Sequence, residues 1–275
     1  MTKADFPVRI LSLGAGVQST TLLRMMIHGE IEKPDHAIFS DTGWEPRAVY
    51  RHLETLKQEC ANADIPLHIT SWGNIRADAL DPRVRFASMP IHITKRNGDR
   101  AMGRRQCTNE YKIKPLMARQ RFLAGLEPGQ RCTEHGITTV IGISWDETQR
   151  VRDPAFSWIQ HEYPLIDRRI TRQECIAWNA EHGYPPPPRS SCIGCPFHSN
   201  AEWRAIRDDP DDWADAVEFD KLLREPESRL ERLLRPSTGY LHPERKPLDE
   251  VDIRSQEEAG QGTLFDMECE GMCGL

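Results

Sequence analysis

Cys192 and Cys195, in SSCIGCPF at 190–197, are spaced so that both sulfurs of one turn can face a single metal atom or cluster, and Gly194 keeps that turn open. The chain holds eight cysteines: Cys60, Cys107, Cys132, Cys175, Cys192, Cys195, Cys269 and Cys273. No signal-peptide pattern opens the sequence and no apolar run is long enough to cross a bilayer, so a cytoplasmic setting without membrane contact is expected. There, so many thiols point to metal or redox chemistry rather than to structural disulfides. An all-sulfur ligand set suits an iron–sulfur cluster or a structural zinc. Cys269 and Cys273 lie in ECEGMCGL, which reads either as a mobile redox or sulfur-carrying arm or as a tail with incidental thiols.

A second constellation is SLGAGVQST at 12–20. Gly14, Ala15 and Gly16 let the backbone approach a ligand closely. The helix expected to follow presents free N–H groups and the positive end of its dipole, which together make a phosphate site. Ser19 and Thr20 add hydroxyls. The stretch is not a Walker A loop, since no Gly-Lys-Ser/Thr follows. Nor is it a full G-x-G-x-x-G, since Ser19 takes the third glycine's place. A tight turn that simply packs is the alternative.

Charge is unevenly spread. The net charge of −6, from 36 basic and 42 acidic side chains, argues against a chain basic all over. Yet residues 83–121 carry a run of Lys and Arg against only Asp99 and Glu110, and 208–220 read DDPDDWADAVEFD. Both stretches read as solvated surface, or the basic one as a grip on a polyanion.

These residues need elements to position them. VRILSLG at 8–14 reads as a buried strand, 17–30 as a helix, HAIFSDTG at 36–43 as a strand and turn, and 45–63 as an amphipathic helix. PLHITSW at 66–72 and ITTVIGISW at 137–145 supply further strands. Residues 73–110 are poorly periodic and read as loop-rich, and 114–125 reads as a helix. The order predicts an α/β fold: a doubly wound, mostly parallel sheet with helices on both faces. A cysteine-bearing helical C-terminal region follows. Thr171 and Glu174 make a capping box for a helix at 170–183, which ends at Gly183 before PPPP. The expected division is a nucleotide-binding domain over 1–168, a helical cysteine-containing region over 169–235 and an irregular tail over 236–275.

Four segments, followed in order by the C-x-x-C turn, resemble those of the N-type ATP pyrophosphatases and phosphoadenosine-phosphosulfate (PAPS) reductases, and the tail does so loosely. GAGVQST resembles their pyrophosphate loop S-G-G-x-D-S, with Gly14 for the serine, Ala15 for a glycine and Gln18 for the aspartate. FSDTGWEP at 39–46 resembles their D-T-G segment, although Asp41 also reads as a helix cap. RRQCTNEYKIKPL resembles their stretch of cysteine, lysine and Pro-Leu. IGISWDETQR at 141–150 resembles their G-I-R-x-x-[ED]-S-x-x-R. MCGL loosely resembles the E-C-G-[IL]-H end of the reductases, without the histidine.

The resemblance implies that Gly14, Ala15, Gly16, Gln18, Ser19 and Thr20 hold the phosphates of ATP. It implies that Asp41, with Thr42 and Gly43, meets the nucleotide or Mg²⁺, that Glu147 and Arg150 serve its anionic groups, and that Lys112 lies near the substrate. Cys107 corresponds to a cluster ligand, single where the plant-type reductases have an adjacent pair. Cys175 is inferred to replace the missing one, so that Cys107, Cys175, Cys192 and Cys195 would bind one 4Fe–4S cluster, with zinc as the alternative. Cys60 and Cys132 are expected to stand apart. The implied activity is ATP-dependent sulfur transfer to DNA or tRNA, similar to that of the sulfur-inserting enzymes of DNA phosphorothioation. Its sulfur donor would be a cysteine desulfurase or a similar protein. Two other readings stand beside it: a PAPS or APS reductase that makes sulfite with Cys273 or Cys269 as nucleophile and thioredoxin as reductant, and a nucleotide- or redox-sensing regulator. A homodimer fits any of them.

Overall fold

The structure is a computed structural model and describes residues 8–85, 88–127, 129–130 and 136–254. Five strands form one parallel sheet: β1 (Val8–Ser12), β2 (His36–Asp41), β3 (Leu67–Ser71), β6 (Ile137–Ile141) and β7 (Ile159–Glu162), in the order β3-β2-β1-β6-β7. From β1 the chain winds outward to β2 and β3, and later returns to β6 on the other side. β1 and β6 therefore flank the switch point, where open α/β sheets bind ligands beyond the strands' C-terminal ends.

Helices α1 (Val17–Ile27), α2 (Arg47–Asn62) and α6 (Arg172–Glu181) share one core with the sheet, through Leu11, Phe39, Leu22, Leu56 and Cys175. On the opposite face α4 (Lys114–Leu123) packs Leu116 against Ile10, Ile38 and Ile159. The helices lie on both faces, as a strand such as β6, buried at every residue, requires.

A second core gathers Ile75 and Ala79 of α3 (Ile75–Leu80), Trp203 and Ile206 of α7 (Asn200–Arg207), Phe219 of α8 (Pro210–Leu222) and Leu230 of α9 (Arg229–Leu234). A small antiparallel sheet joins it, in which β4 (His92–Thr94) lies between β5 (Arg100–Met102) and β8 (Thr238–Tyr240). A short helix, α5 (Pro164–Asp167), precedes α6.

Two expected boundaries move. Residues 75–111 contribute Ile75, Met89, Ile91 and Tyr111 to the second core, so they belong with the C-terminal helices rather than with the sheet. Order also continues past 236, because Leu241, Leu248, Val251 and Ile253 are buried there. The reason is the same in both cases: β4 pairs with β8 across a long stretch of sequence, and local periodicity cannot register such a pairing. α6, placed by sequence with the C-terminal region, packs on α1 instead. Its Asn179 accepts from the buried Arg24 guanidinium at 2.6 Å and donates to Thr21 at 2.6 Å.

Candidate active site

At the end of β1 the chain turns through Ala15, at φ +58°, and enters α1 at Gly16. No side chain caps this N-terminus and no acidic residue occupies the first turn. Its N–H groups are left for a ligand, and the helix dipole favours an anion. Ser19 Oγ accepts the Gly14 N–H at 3.1 Å and so braces the turn. The end of β6 lies directly against this helix: a Cβ on Gly142 would stand 2.8 Å from Ser19 Cα and N. Only glycine permits that approach.

The turn opens on a cavity of about 240 Å³. Of the expected nucleotide residues, Gly14, Gly16, Gln18, Ser19, Thr42, Glu147 and Arg150 line it, as does Lys112. Four others do not. Ala15 is fully buried in the sheet core. Thr20 is buried with its hydroxyl on His52 Nε2 at 3.0 Å. Asp41 accepts from the Gly43 N–H at 2.8 Å and the Tyr50 hydroxyl at 2.9 Å. Asp41 and Gly43 therefore shape the turn, and Thr42 is the residue of that segment that reaches the cavity. The Asp41 partnership also lifts the Tyr50 hydroxyl above its ordinary range, after burial as the larger cause.

Sequence reading missed three arginines of the wall. Arg105, Arg172 and Arg189 join Lys112 and Arg150 in the lining, where Glu147 is the one carboxylate; Arg189 also pairs with Glu202 and Lys112 with Glu45. Such a wall suits a polyphosphate. Glu147 and Arg150 are paired with each other. Arg189 follows the proline run, where nothing in its neighbours marks it; its place in the wall is tertiary.

Three of the four expected ligand cysteines, Cys107, Cys192 and Cys195, line the same cavity. Cys175 does not. It is fully buried in the sheet-side core, one helical turn before Asn179, on the face of α6 that packs on α1. Its carbonyl accepts from Thr21 and Asn179, and burial pushes its thiol up to about 12. Of the four expected ligands, Cys175 is therefore the one the structure sets apart from the cavity. Cys60 is buried in that same core, while Cys132, Cys269 and Cys273 lie outside the described residues.

Behind the wall stands Glu45, 2% exposed, which sequence reading left as part of a helix start. Its Oε1 accepts from Thr42 at 3.0 Å and faces Lys112 Nζ at 3.5 Å and Cys192 Sγ at 3.8 Å. Thr42 Oγ1 also meets Cys192 Sγ at 3.2 Å. Burial, and then Glu45, raise the Cys192 thiol above its ordinary range. The C-x-x-C turn is pinned on its other side by His198, whose Nε2 lies 2.9 Å from the Cys192 carbonyl and 3.2 Å from that of Ile193.

Among the described residues no three His, Cys, Asp or Glu side chains are grouped as a single metal ion requires. Thiolates around one zinc stand about 3.8 Å apart at Zn–S distances near 2.3 Å. A cubane cluster spreads its ligand sulfurs to roughly 6–7 Å. Cys107, Cys192 and Cys195 lie in the wall of one cavity, and an all-sulfur donor set there suits a cluster or a zinc ion.

No family model matches the sequence, and no curated protein matches it. The fold is similar to that of a tRNA thiolase. That structure is the U34-tRNA thiolase NcsA from Methanococcus maripaludis with its 4Fe–4S cluster; the match covers 81% of this chain and 74% of the thiolase, at 13% identity and a TM-score of 0.41. Among the described residues no helix is long and apolar enough to cross a membrane.

Proposed function

We propose that this chain is an ATP-dependent sulfurtransferase that modifies a nucleic acid. One observation carries the reading: an uncapped helix N-terminus, five cations and three cysteines share the wall of one cavity at the switch point of a parallel sheet. Groups suited to phosphate and groups suited to sulfur chemistry sharing one wall support this reading. The triphosphate lies on the N–H groups of α1, and Arg150, Arg172 and Arg189 balance its charge. An oxygen of the nucleic acid attacks the α-phosphorus and pyrophosphate leaves. Sulfur at the sulfide level then forms its bond to the atom that bore the oxygen, and AMP departs with that oxygen. Lys112, held by Glu45, presents its ammonium to the negative charge that develops. A 4Fe–4S cluster on Cys107, Cys192 and Cys195 would hold or supply the sulfide.

The test is made on anaerobically purified protein with iron and sulfide analysed per chain. It measures pyrophosphate release from ATP with DNA or tRNA and a sulfide source, alongside sulfite release from PAPS. Pyrophosphate release accompanied by sulfur entering the nucleic acid is expected. Sulfite from PAPS with no pyrophosphate from ATP would overturn the reading in favour of a reductase.

A further inference from the structure

The two charged stretches of the sequence meet different fates in the fold. The acidic one is consumed internally. Asp209 caps α8, Asp215 pairs with Arg76, and the buried Asp220 accepts the N–H groups of Leu241 at 2.8 Å and Leu248 at 2.9 Å. Part of the basic stretch is consumed likewise, since Arg83 pairs with Asp81, and Arg85 and Lys114 both pair with Glu110. Lys95, Arg96, Arg100 and Arg104 differ. All four are exposed, and their side chains make no hydrogen bond or ion pair with any described residue. They sit on one hairpin, β4–β5, and its short continuation. Asp99, the one acid there, is engaged by the Asn97 amide at 2.8 Å.

From this we infer that the β4–β5 hairpin is the surface that grips the sugar–phosphate backbone of a nucleic acid and leads it to the cavity. The inference rests on the nucleic-acid reading above and adds which face of the protein serves it.

Three features support the assignment. Along edge strand β5 and its continuation, Arg100, Met102 and Arg104 are exposed alternately with less exposed neighbours. Arg100 and Arg104 stand about 13 Å apart at strand spacing, and the apolar Met102 between them suits a sugar or base. The platform is braced, because β4 pairs with β8 on its other edge and Arg245 reaches the carbonyl of Ile93 at 3.4 Å. Lastly, the strand exits into the site. The Gly103 N–H bonds the Ile91 carbonyl at 2.8 Å, and the chain then runs directly into Arg105 and Cys107 of the cavity wall. Met89 and Pro90, just before β4, line the same wall. A backbone lying along β5 is thus directed toward the cysteines.

Fluorescence anisotropy of labelled single-stranded and duplex DNA and RNA, read against the full chain over a range of salt, tests this. The variant is Arg96→Glu, Arg100→Glu and Arg104→Glu combined; a second, Arg100→Gln with Arg104→Gln, guards against reading mere repulsion. The triple variant should bind at least about tenfold more weakly, with a log K against log salt slope shallower by about 2–3. The double Gln variant should lose part of the affinity, and ATP binding should be unchanged in both. A triple variant that binds as tightly as the wild type overturns the hairpin assignment alone. A wild-type chain that binds ATP but none of the oligonucleotides overturns the nucleic-acid reading and the assignment with it. The arm with the tightest wild-type binding identifies the substrate as DNA or RNA.

Discussion

Gly194 lies against the benzo ring of Trp44 so closely that no Cβ fits between them, while the Ile193 N–H bonds the Trp44 carbonyl at 2.9 Å. The two residues between the cysteines of the C-x-x-C turn are thus seated on Trp44, which follows Asp41-Thr42-Gly43. Through this contact the cysteine turn is placed on the sheet's ligand-binding edge. Gly194→Ala should force the turn off its seat, at about 1–3 kcal/mol of stability, and lower the iron content. Trp44→Leu in the same chain should restore part of both. Thermal unfolding and iron analysis of the single and double variants check this; equal iron in Gly194→Ala and wild type would refute it.

The three-cysteine site makes a separable prediction. Cys107→Ala, Cys192→Ala and Cys195→Ala should each lose the metal centre and remain folded. Cys175→Ala should keep it and instead cost about 1–2 kcal/mol of stability, as a small cavity in the sheet core does. Iron and sulfide per chain, with a melting curve for each variant, decide between them. Loss of iron in Cys175→Ala would return that residue to the ligand set.

Glu45 holds Lys112 from behind the wall, so Glu45→Gln should act on turnover more than on binding. With the counter-charge gone, the ammonium no longer has a fixed place. A misplacement of about 1 Å costs up to about a hundredfold in rate, and a fall of about 10- to 100-fold in pyrophosphate release is expected, with ATP affinity within about threefold of wild type. Unchanged turnover in Glu45→Gln would show that Lys112 is positioned by other groups.

His52 predicts a pH dependence of stability. Burial, and then the Arg24 guanidinium, lower its pKa from 6.5 to about 4. The folded state therefore resists the proton that the unfolded state accepts. This contribution is fully present above pH 6.5 and is lost as the pH falls from there through 4. It amounts to at most about 3 kcal/mol by linkage. His52→Gln, which can still meet the Thr20 hydroxyl, should flatten the stability profile between pH 4 and 6.5. Urea titrations across that range test this, and parallel profiles for the two proteins would remove His52 as the cause.

Much of the frame was legible locally. Alternation and apolar runs marked all the parallel strands except β7, and the small-residue turn at Gly14–Gly16 marked the phosphate end of α1, because these signals act between near neighbours. The capping box of Thr171 and Glu174 is present as read. The Cys192–Cys195 spacing likewise announced a shared direction for two sulfurs. What sequence could not decide was which cysteine joins them. Cys107 lines the cavity with that pair at the foot of the hairpin, whereas Cys175 is buried in the sheet core, where its carbonyl meets Thr21 and Asn179. The places of Glu45, Arg172 and Arg189 at the site were hidden for the same reason, and Arg105 showed only as one member of a basic run. Their meaning comes from contacts between residues far apart in the chain, such as Glu45 with Lys112 and Cys192, and Arg189 with the C-x-x-C turn in one cavity wall. The spacing of residues along the chain specifies the elements; which side chains those elements bring together depends on long-range packing, which leaves no periodic trace.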